Sequence, residues 1–429
     1  MVNYLMDNYI KVMYIGYDHF DDRDTFFNGA PYPNADWLSG EGIYLGCGWD
    51  KECNSYNIVP VDAKSFGDFY VFPVNAQYAE TKLFEEETFF GKFISDKVLN
   101  DLKNDRALLH INYIHETFRF NSIYFERLYE FLRLHNIPSK NVLLSADNHR
   151  LQKDLHKWTH DKNKINILET CFGELNVECY SHYLGVKKVS VEYIQKLKNK
   201  EREFYFLNLM RTNRAYRVEL ADWIEEENLG DKILYSALWK DKRIPKEYHW
   251  DLKEGTLSEE ITALDGNATI DDLFGKGSYS MQLDKVEMDL TKTTQNPYHN
   301  TYLEIVTETM FDNTAVQISE KTFKPIVNLQ PFILVGSAGH LQKLKFMGYK
   351  TFSSFIDESY DLVEDNVKRM EMIKSEIKRI CNMEKKELHK IYYDMMDDIL
   401  LYNRNHFNNN NEGRRFMKEI YESIWYKRT

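Results

Sequence analysis

Residues Gln330-Pro331-Phe332-Ile333-Leu334-Val335-Gly336 constrain this chain more than any other stretch. Four consecutive β-favouring apolar residues between a proline and a glycine read as a buried strand. Just before them, Ile318-Ser319-Glu320-Lys321-Thr322-Phe323-Lys324-Pro325-Ile326 reads as a short helix opened by a dense charged patch. Pro325 and a turn at Asn328 to Gln330 are expected to close it. Helix start, then strand, then Gly336 is the layout of an open α/β sheet. In such sheets ligands sit beyond the carboxyl ends of the strands, and helix N-termini offer free N–H groups and a positive dipole end to phosphates. Lys321 and Lys324, three positions apart, can serve the same phosphate. Taken alone, these residues also suit an ordinary surface helix and an ordinary core strand.

A second segment repeats the layout. Phe204 to Leu207 reads as a strand, Asn208 to Asn213 as a loop, and Tyr216 to Glu226 as a helix with Leu220, Trp223 and Ile224 on one face. Arg211, Arg214 and Arg217 occupy the loop and the first turn. Guanidinium groups there oppose the helix dipole, which favours acidic residues in a first turn. Something anionic is expected to relieve that conflict.

The two segments together resemble the nucleotide-sugar site of glycosyltransferases with two facing Rossmann-like domains, the GT-B architecture, and in particular fucosyltransferase-like enzymes. The shared pattern is an arginine after the first strand of the C-terminal domain, a [Ser/Thr]-Glu-Lys turn, and a hydrophobic strand ending in Gly. Here it falls on the cluster ending at Arg217, on Ser319-Glu320-Lys321, and on Pro331 to Gly336. The chain is more similar still to glycosyltransferase-like proteins of phages and large viruses, which carry an Asn-Arg-rich loop and a Glu-Lys-Thr-Phe-Lys-Pro run. This likeness spans residues 200 to 355 and leaves the N-terminal half uncovered. After Glu-Lys the run departs from the fucosyltransferase pattern, so the identity of the sugar is not inherited.

The resemblance implies an α/β chain of two Rossmann-like domains facing a cleft: an acceptor-side domain over residues 1–195, a nucleotide-sugar domain over 196–380, and a helical tail over 381–429 packing back on the first. It implies that Lys321 and one of Arg214 or Arg217 neutralise the diphosphate of the donor, and that Glu320 contacts the ribose or the sugar. Asn208, Arg211, Ser319 and Lys324 would complete that site. Glu308, at the end of an expected strand Ile305-Val306-Thr307, reads either as a second hydroxyl-binding carboxylate or as a solvated strand-end acid. Fixed cations can stabilise a leaving nucleoside diphosphate as a metal would, so no obligatory metal or cofactor is expected. An inverting displacement also needs a base within reach of the acceptor hydroxyl. Glu116, after the expected strand Leu108 to Tyr113, is the candidate, with Asp18 and His19 as runners-up.

Composition narrows the partners. With 429 residues, two domains are expected. No apolar run is long enough to span a bilayer, and Met1 to Tyr17 is interrupted by Asp7, Asn8 and Lys11, so neither a membrane span nor a secretory signal is expected. Five scattered cysteines, Cys47, Cys53, Cys171, Cys179 and Cys381, without a Cys-x-x-Cys pair, point to a reducing interior such as the cytoplasm, that of the host if the chain is viral. A net charge of -12 disfavours nucleic acid without excluding a local basic groove, for which Arg404, Arg414, Arg415, Lys418, Lys427 and Arg428 are the local excess. The acceptor is therefore left between a glycan and a hydroxymethylated base of viral DNA. A non-catalytic nucleotide- or sugar-binding protein is the alternative function.

Along the rest of the chain, Lys11 to Gly16, Phe69 to Pro73, Leu108 to Tyr113 and Val142 to Ala146 read as strands, with a helix over Ile123 to His135 burying Leu128, Phe131 and Leu132. Gln195 to Arg202 is almost wholly polar or charged and reads as a solvated interdomain link. The segment Lys240 to Asp289 reads as an irregular insertion, and Asn408 to Asn411 as a loop interrupting a helical tail. Asp22-Arg23-Asp24 spells a metal-binding Asp-x-Asp, yet its Gly/Pro/Asn-rich setting reads better as an exposed loop.

Overall fold

The computed structural model describes residues 10–14, 58–62, 69–75, 94, 96–113, 118–159, 165–169, 171, 191–210, 214–237 and 297–409. The chain divides into two compact units, Met1–Cys179 with Asn411–Thr429, and Tyr180–Asn410. Both are α/β, each built on a parallel sheet.

In the first unit the strands are β1 (Ile10–Tyr14), β2 (Ile58–Asp62), β3 (Tyr70–Asn75), β4 (Ala107–Tyr113), β5 (Val142–Ala146) and β6 (Asn166–Glu169). They lie in the order β2-β1-β3-β4-β5-β6, every described pairing parallel. Helices α1 (Asp96–Lys103), α2 (Ser122–Leu134) and α3 (Leu151–Trp158) connect them. Asn121 caps α2 by accepting from the N–H groups of Ile123 and Tyr124, and Leu128, Phe131 and Leu132 are buried as their spacing predicts. Continuous apolar strands such as β5, buried along its whole length, suit a sheet covered on both faces. His110 of β4 is buried within this core, 2.6 Å from the Ser145 hydroxyl, and burial takes its imidazole down to about 3.

The second unit begins with α4 (Val191–Asn199), followed by β7 (Phe204–Met210), α5 (Ala215–Glu226), β8 (Ile233–Ala237), β9 (Thr301–Thr307), α6 (Glu320–Val327) and β10 (Phe332–Val335). After β10 come α7 (His340–Phe346), α8 (Asn366–Cys381), α9 (Lys385–Met395), a π-helical turn (Met396–Leu400) and α10 (Leu401–Asn409). The sheet order is β10-β9-β7-β8, all parallel. The chain therefore starts in the middle at β7, adds β8 on one side, then returns to add β9 and β10 on the other. This reversal makes the gap between β7 and β9 the topological switch point.

Several expectations need correction. The strand β7 runs to Met210, so Asn208 lies inside it rather than in a loop. Pro325 sits within α6, not at its end. The stop comes from Leu329, at φ 55°, with the Gln330 N–H bonding to the Pro325 carbonyl at 2.9 Å. The polar run from Gln195 is not a solvated link. It includes the end of α4, and Leu197, Lys198 and Arg202 are all buried. Two cations enter the interior because aromatic rings receive them: Arg202 lies 3.9 Å from the Tyr392 ring centre, and Lys198 lies 4.2 Å from that of Tyr393.

The described part of the tail packs on its own unit. Tyr392 donates to the Leu329 carbonyl at 3.0 Å, Arg404 donates to the Val327 carbonyl, and Phe407 meets Phe323 at 6.0 Å. Arg404, counted among the local basic excess, is thereby only 3% exposed. The helix α10 continues to Asn409, two residues into the asparagine tract. The Lys240–Asp289 segment and the rest of the tail lie outside the described residues.

Candidate functional site

Strands β7 and β9 end side by side at the switch point, and each is followed by a helix whose N-terminus returns to that edge: α5 after β7, α6 after β9. At α5, Arg214 is the N-cap residue, with extended backbone (φ -68°, ψ 145°) and no side-chain cap. Its guanidinium donates to the Thr309 carbonyl. Arg217, 3% exposed, donates from Nη2 to the carbonyls of Thr307 and Glu308, both at 2.9 Å, and from Nε to the Tyr216 hydroxyl at 3.1 Å. The Tyr216 hydroxyl in turn donates to the Glu308 carbonyl, and its ring stacks on Phe311 at 5.2 Å. Burial pushes the Tyr216 phenol up, against the lowering pull of Arg217 and then Arg214. The conflict between the arginines and the α5 dipole is thus met from inside, by carbonyl oxygens at the end of β9.

At α6, Ser319 is the N-cap and accepts from the Lys321 N–H at 3.3 Å. Glu308, fully buried, ties this helix to the sheet. Its Oε1 accepts from the Ser319 N–H at 3.0 Å and from the Thr322 hydroxyl, its Oε2 accepts from the Thr309 N–H at 3.2 Å, and its own N–H donates to the Val335 carbonyl of β10 at 2.9 Å. Glu308 is therefore neither a solvated acid nor a group turned toward a ligand, because its oxygens are engaged by the protein.

Of the charged groups named at this edge, Arg214, Glu320, Lys321 and Lys324 keep solvent contact. Lys321 Nζ lies 2.8 Å from Glu320 Oε1 and 3.3 Å from Ser319 Oγ. Burial raises the Glu320 carboxyl. The attraction of Lys321, then of Lys324, together with hydrogen bonds from Lys321 and from its own backbone, outweighs burial and takes it down to about 2. Arg214 and Lys321 are joined through three residues: Arg214 bonds to Thr309, Thr309 to the Glu308 carboxyl, that carboxyl to Ser319, and Ser319 to Lys321. Counting Arg214, Arg217, Lys321 and Lys324 against Glu308 and Glu320, four basic groups face two acidic ones.

Asn208 lies below this edge, buried, with Nδ2 donating to the Ile305 carbonyl of β9 at 2.6 Å. Arg211, Glu116, Asp18, His19 and the Asp22-Arg23-Asp24 run lie outside the described residues. The structure adds Tyr216, Thr309 and Thr322, which the sequence reading did not single out. Tyr216 had a signal in lying between two of the arginines, whereas Thr309 and Thr322 had none, since their importance depends on where Glu308 points. Among the described residues no group of three or more His, Cys, Asp or Glu side chains is placed to hold a metal ion, and no helix is long and apolar enough to cross a membrane. No protein-family model matches the chain, and a search of curated proteins finds no match.

Proposed function

We propose that this protein is a glycosyltransferase of GT-B-like arrangement. It moves a sugar from a nucleoside-diphosphate donor to an acceptor hydroxyl, with inversion and without an obligatory metal. One observation supports the reading: two helix N-termini and three partly exposed cations, Arg214, Lys321 and Lys324, gather around the end of β9 at a switch point of a parallel sheet. In this reading α6 and Lys321 hold the diphosphate, with Arg214 opposite, and stabilise the charge that develops as the nucleoside diphosphate leaves. Glu320, ionised at neutral pH, takes a ribose or sugar hydroxyl. Arg217 and Glu308 act as positioning residues that lock the two helix starts to β9. The acceptor, a glycan or a hydroxymethylated base of DNA, belongs to the first unit, where Glu116 is the candidate base.

The test is a thermal-shift screen of UDP, GDP, CMP and dTDP sugars with magnesium or with EDTA, followed by donor hydrolysis and transfer assays. A nucleotide at about one hundred times its dissociation constant adds about 2.7 kcal/mol of stability. The expected result is stabilisation by one nucleotide class, retained in EDTA and lost in Lys321→Ala, together with slow hydrolysis of that donor. Binding without hydrolysis or transfer reduces the protein to a nucleotide-binding module. Stabilisation by none of them removes the donor site.

A further inference from the structure

His340, the first residue of α7, is fully buried, and the proposed donor site uses neither of its hydrogen bonds. Both ring nitrogens face backbone carbonyls: Nδ1 lies 2.6 Å from the Ser337 oxygen, and Nε2 lies 2.7 Å from the Gln317 oxygen. A carbonyl oxygen only accepts, and a neutral imidazole has a single N–H to give. In a neutral ring the other nitrogen would press its lone pair against an oxygen at hydrogen-bond distance. Two donations require a proton on each nitrogen, which makes the ring a cation. Gly336 leaves room for it, since a Cβ there would lie 3.0 Å from His340 Nδ1.

The charged groups at this corner suit a buried cation. Asp361, 5% exposed, comes from the 3-10 turn Glu358–Leu362 and accepts from the N–H groups of Leu341 and Gln342, both at 3.0 Å, in the first turn of α7. Burial raises its carboxyl, while those two bonds and then the charge of His340 pull it down. Arg369, from α8, donates to the Gly336 carbonyl at 3.0 Å, and Asp361, Asp365 and Asp312 act on it against the lowering effect of its burial. Glu358 is paired with Lys345 at 3.0 Å, and the Lys343 ammonium sits 4.9 Å from the Phe346 ring centre. Three carboxylates thus act on one arginine, and a second cation beside it is in favourable company.

The two carbonyls belong to different segments. Ser337 lies in the turn after β10, and Gln317 lies two residues before Ser319, the N-cap of α6. A ring that donates twice ties the entry to α6 to the end of β10, whereas a neutral ring can hold only one of them. We propose that His340 is a positioning residue for the start of α6: doubly protonated, it clamps the Gln317 carbonyl to the turn after β10, and loss of one proton loosens the Ser319 cap. Resting on the donor-site reading, this makes nucleotide affinity fall as pH rises, because a nucleotide that needs the ordered helix start favours the protonated ring.

Three measurements on the full chain test this. Ring-nitrogen NMR of histidine-labelled protein, with the His340 signal identified by its absence from His340→Gln, is expected to show protons on both nitrogens at neutral pH. A bare nitrogen there overturns the clamp. Hydrogen exchange without nucleotide then reads the start of α6 at the Ser319 and Lys321 N–H groups. Their protection, corrected for the intrinsic pH dependence of exchange, is expected to fall about tenfold between neutral pH and about pH 9, the scale of one hydrogen bond to a charged group. In His340→Gln, whose single amide nitrogen cannot serve both carbonyls, protection is expected at the lower level throughout. Protection that stays flat to about pH 9, or that the variant leaves unchanged, overturns the proposal. Should His340→Gln not fold, Gly336→Ala serves, because its added Cβ crowds the ring, and protection at neutral pH is expected to drop about threefold. Calorimetric affinities for UDP and GDP are expected to weaken about tenfold over the same range in the wild type, and not in His340→Gln. Binding that ignores pH while exchange responds overturns the link to the donor site. Exchange that responds while neither nucleotide binds at any pH upholds the clamp and removes the donor-site reading instead.

Discussion

Helices α5 and α6 start at adjacent strand ends with basic first turns, yet their cations meet opposite fates. At α5, Arg217 is 3% exposed and gives its guanidinium to carbonyls of Thr307 and Glu308. At α6, Lys321 keeps 29% of its side chain exposed and pairs with Glu320, itself 33% exposed. A cation that opposes a helix dipole takes whatever acceptors lie nearest. For Arg217 these are backbone oxygens at the end of β9, which cannot be surrendered to a ligand without undoing the strand end. For Lys321 the acceptor is a neighbouring side chain, and a half-exposed pair of this kind exchanges partners at little cost. Basic residues at a helix start thus divide into those that build the edge and those that can serve a ligand, and burial separates them.

The largest effect expected from that division is at Glu308. Replacing it with Ala strips the Ser319 and Thr309 N–H groups and the Thr322 hydroxyl of their acceptor in a buried place, for a loss of about 3 kcal/mol in urea unfolding. Next is Arg217→Met, which keeps much of the volume but takes the guanidinium from the Thr307 carbonyl and leaves the Glu308 carbonyl to the Tyr216 hydroxyl. Its expected cost is about 2 kcal/mol by the same measurement. A variant as stable as the wild type that has lost only nucleotide binding would break the comparison, by moving Arg217 to the ligand-facing class. Lys321→Ala sharpens it from the other side. Its unfolding free energy should change by less than about 0.5 kcal/mol, as for an exposed pair, while stabilisation by the nucleotide disappears.

The smallest effect is a pH dependence. Glu320 is held down to about 2, below the 4.5 of the unfolded chain, so its contribution to stability is fully present above 4.5 and is lost as pH falls through 2. With a third of the side chain exposed, solvent screening keeps the change modest. Urea midpoints measured across that window should therefore fall slightly less steeply in Glu320→Gln than in the wild type. An identical slope would mean that Lys321 and Lys324 are not acting on this carboxyl.

Much of this edge was legible from residue patterns. The apolar run Phe332 to Val335 is a strand buried along its whole length, a short helix opens in the charged run at Glu320, and Leu220 and Ile224 bury the face of α5. These features are local, set by side-chain period and the residues that flank them. The strands β2, β6 and β8 escaped notice because, unlike the equally short β10 between Pro331 and Gly336, none is framed by a proline and a glycine that mark where a strand begins and ends. The polarity of Gln195 to Arg202 misled for a different reason: the rings that admit Arg202 and Lys198, Tyr392 and Tyr393, lie almost two hundred residues further on.

What the sequence determined by itself is an α/β chain with two basic helix starts, each following or preceding a strand, because those properties depend on neighbours within a few positions. Tertiary structure alone decided that β9 inserts beside β7, making a switch point of their shared edge, and that Glu308 and Arg217 turn inward while Lys321 remains at the surface. Those outcomes depend on which backbone oxygens and N–H groups a side chain meets across the sheet, and the partners concerned come from segments about a hundred residues apart for Arg217 and about ten for Glu308. Charge is written in the sequence, but its compensation is settled only when the strands have paired.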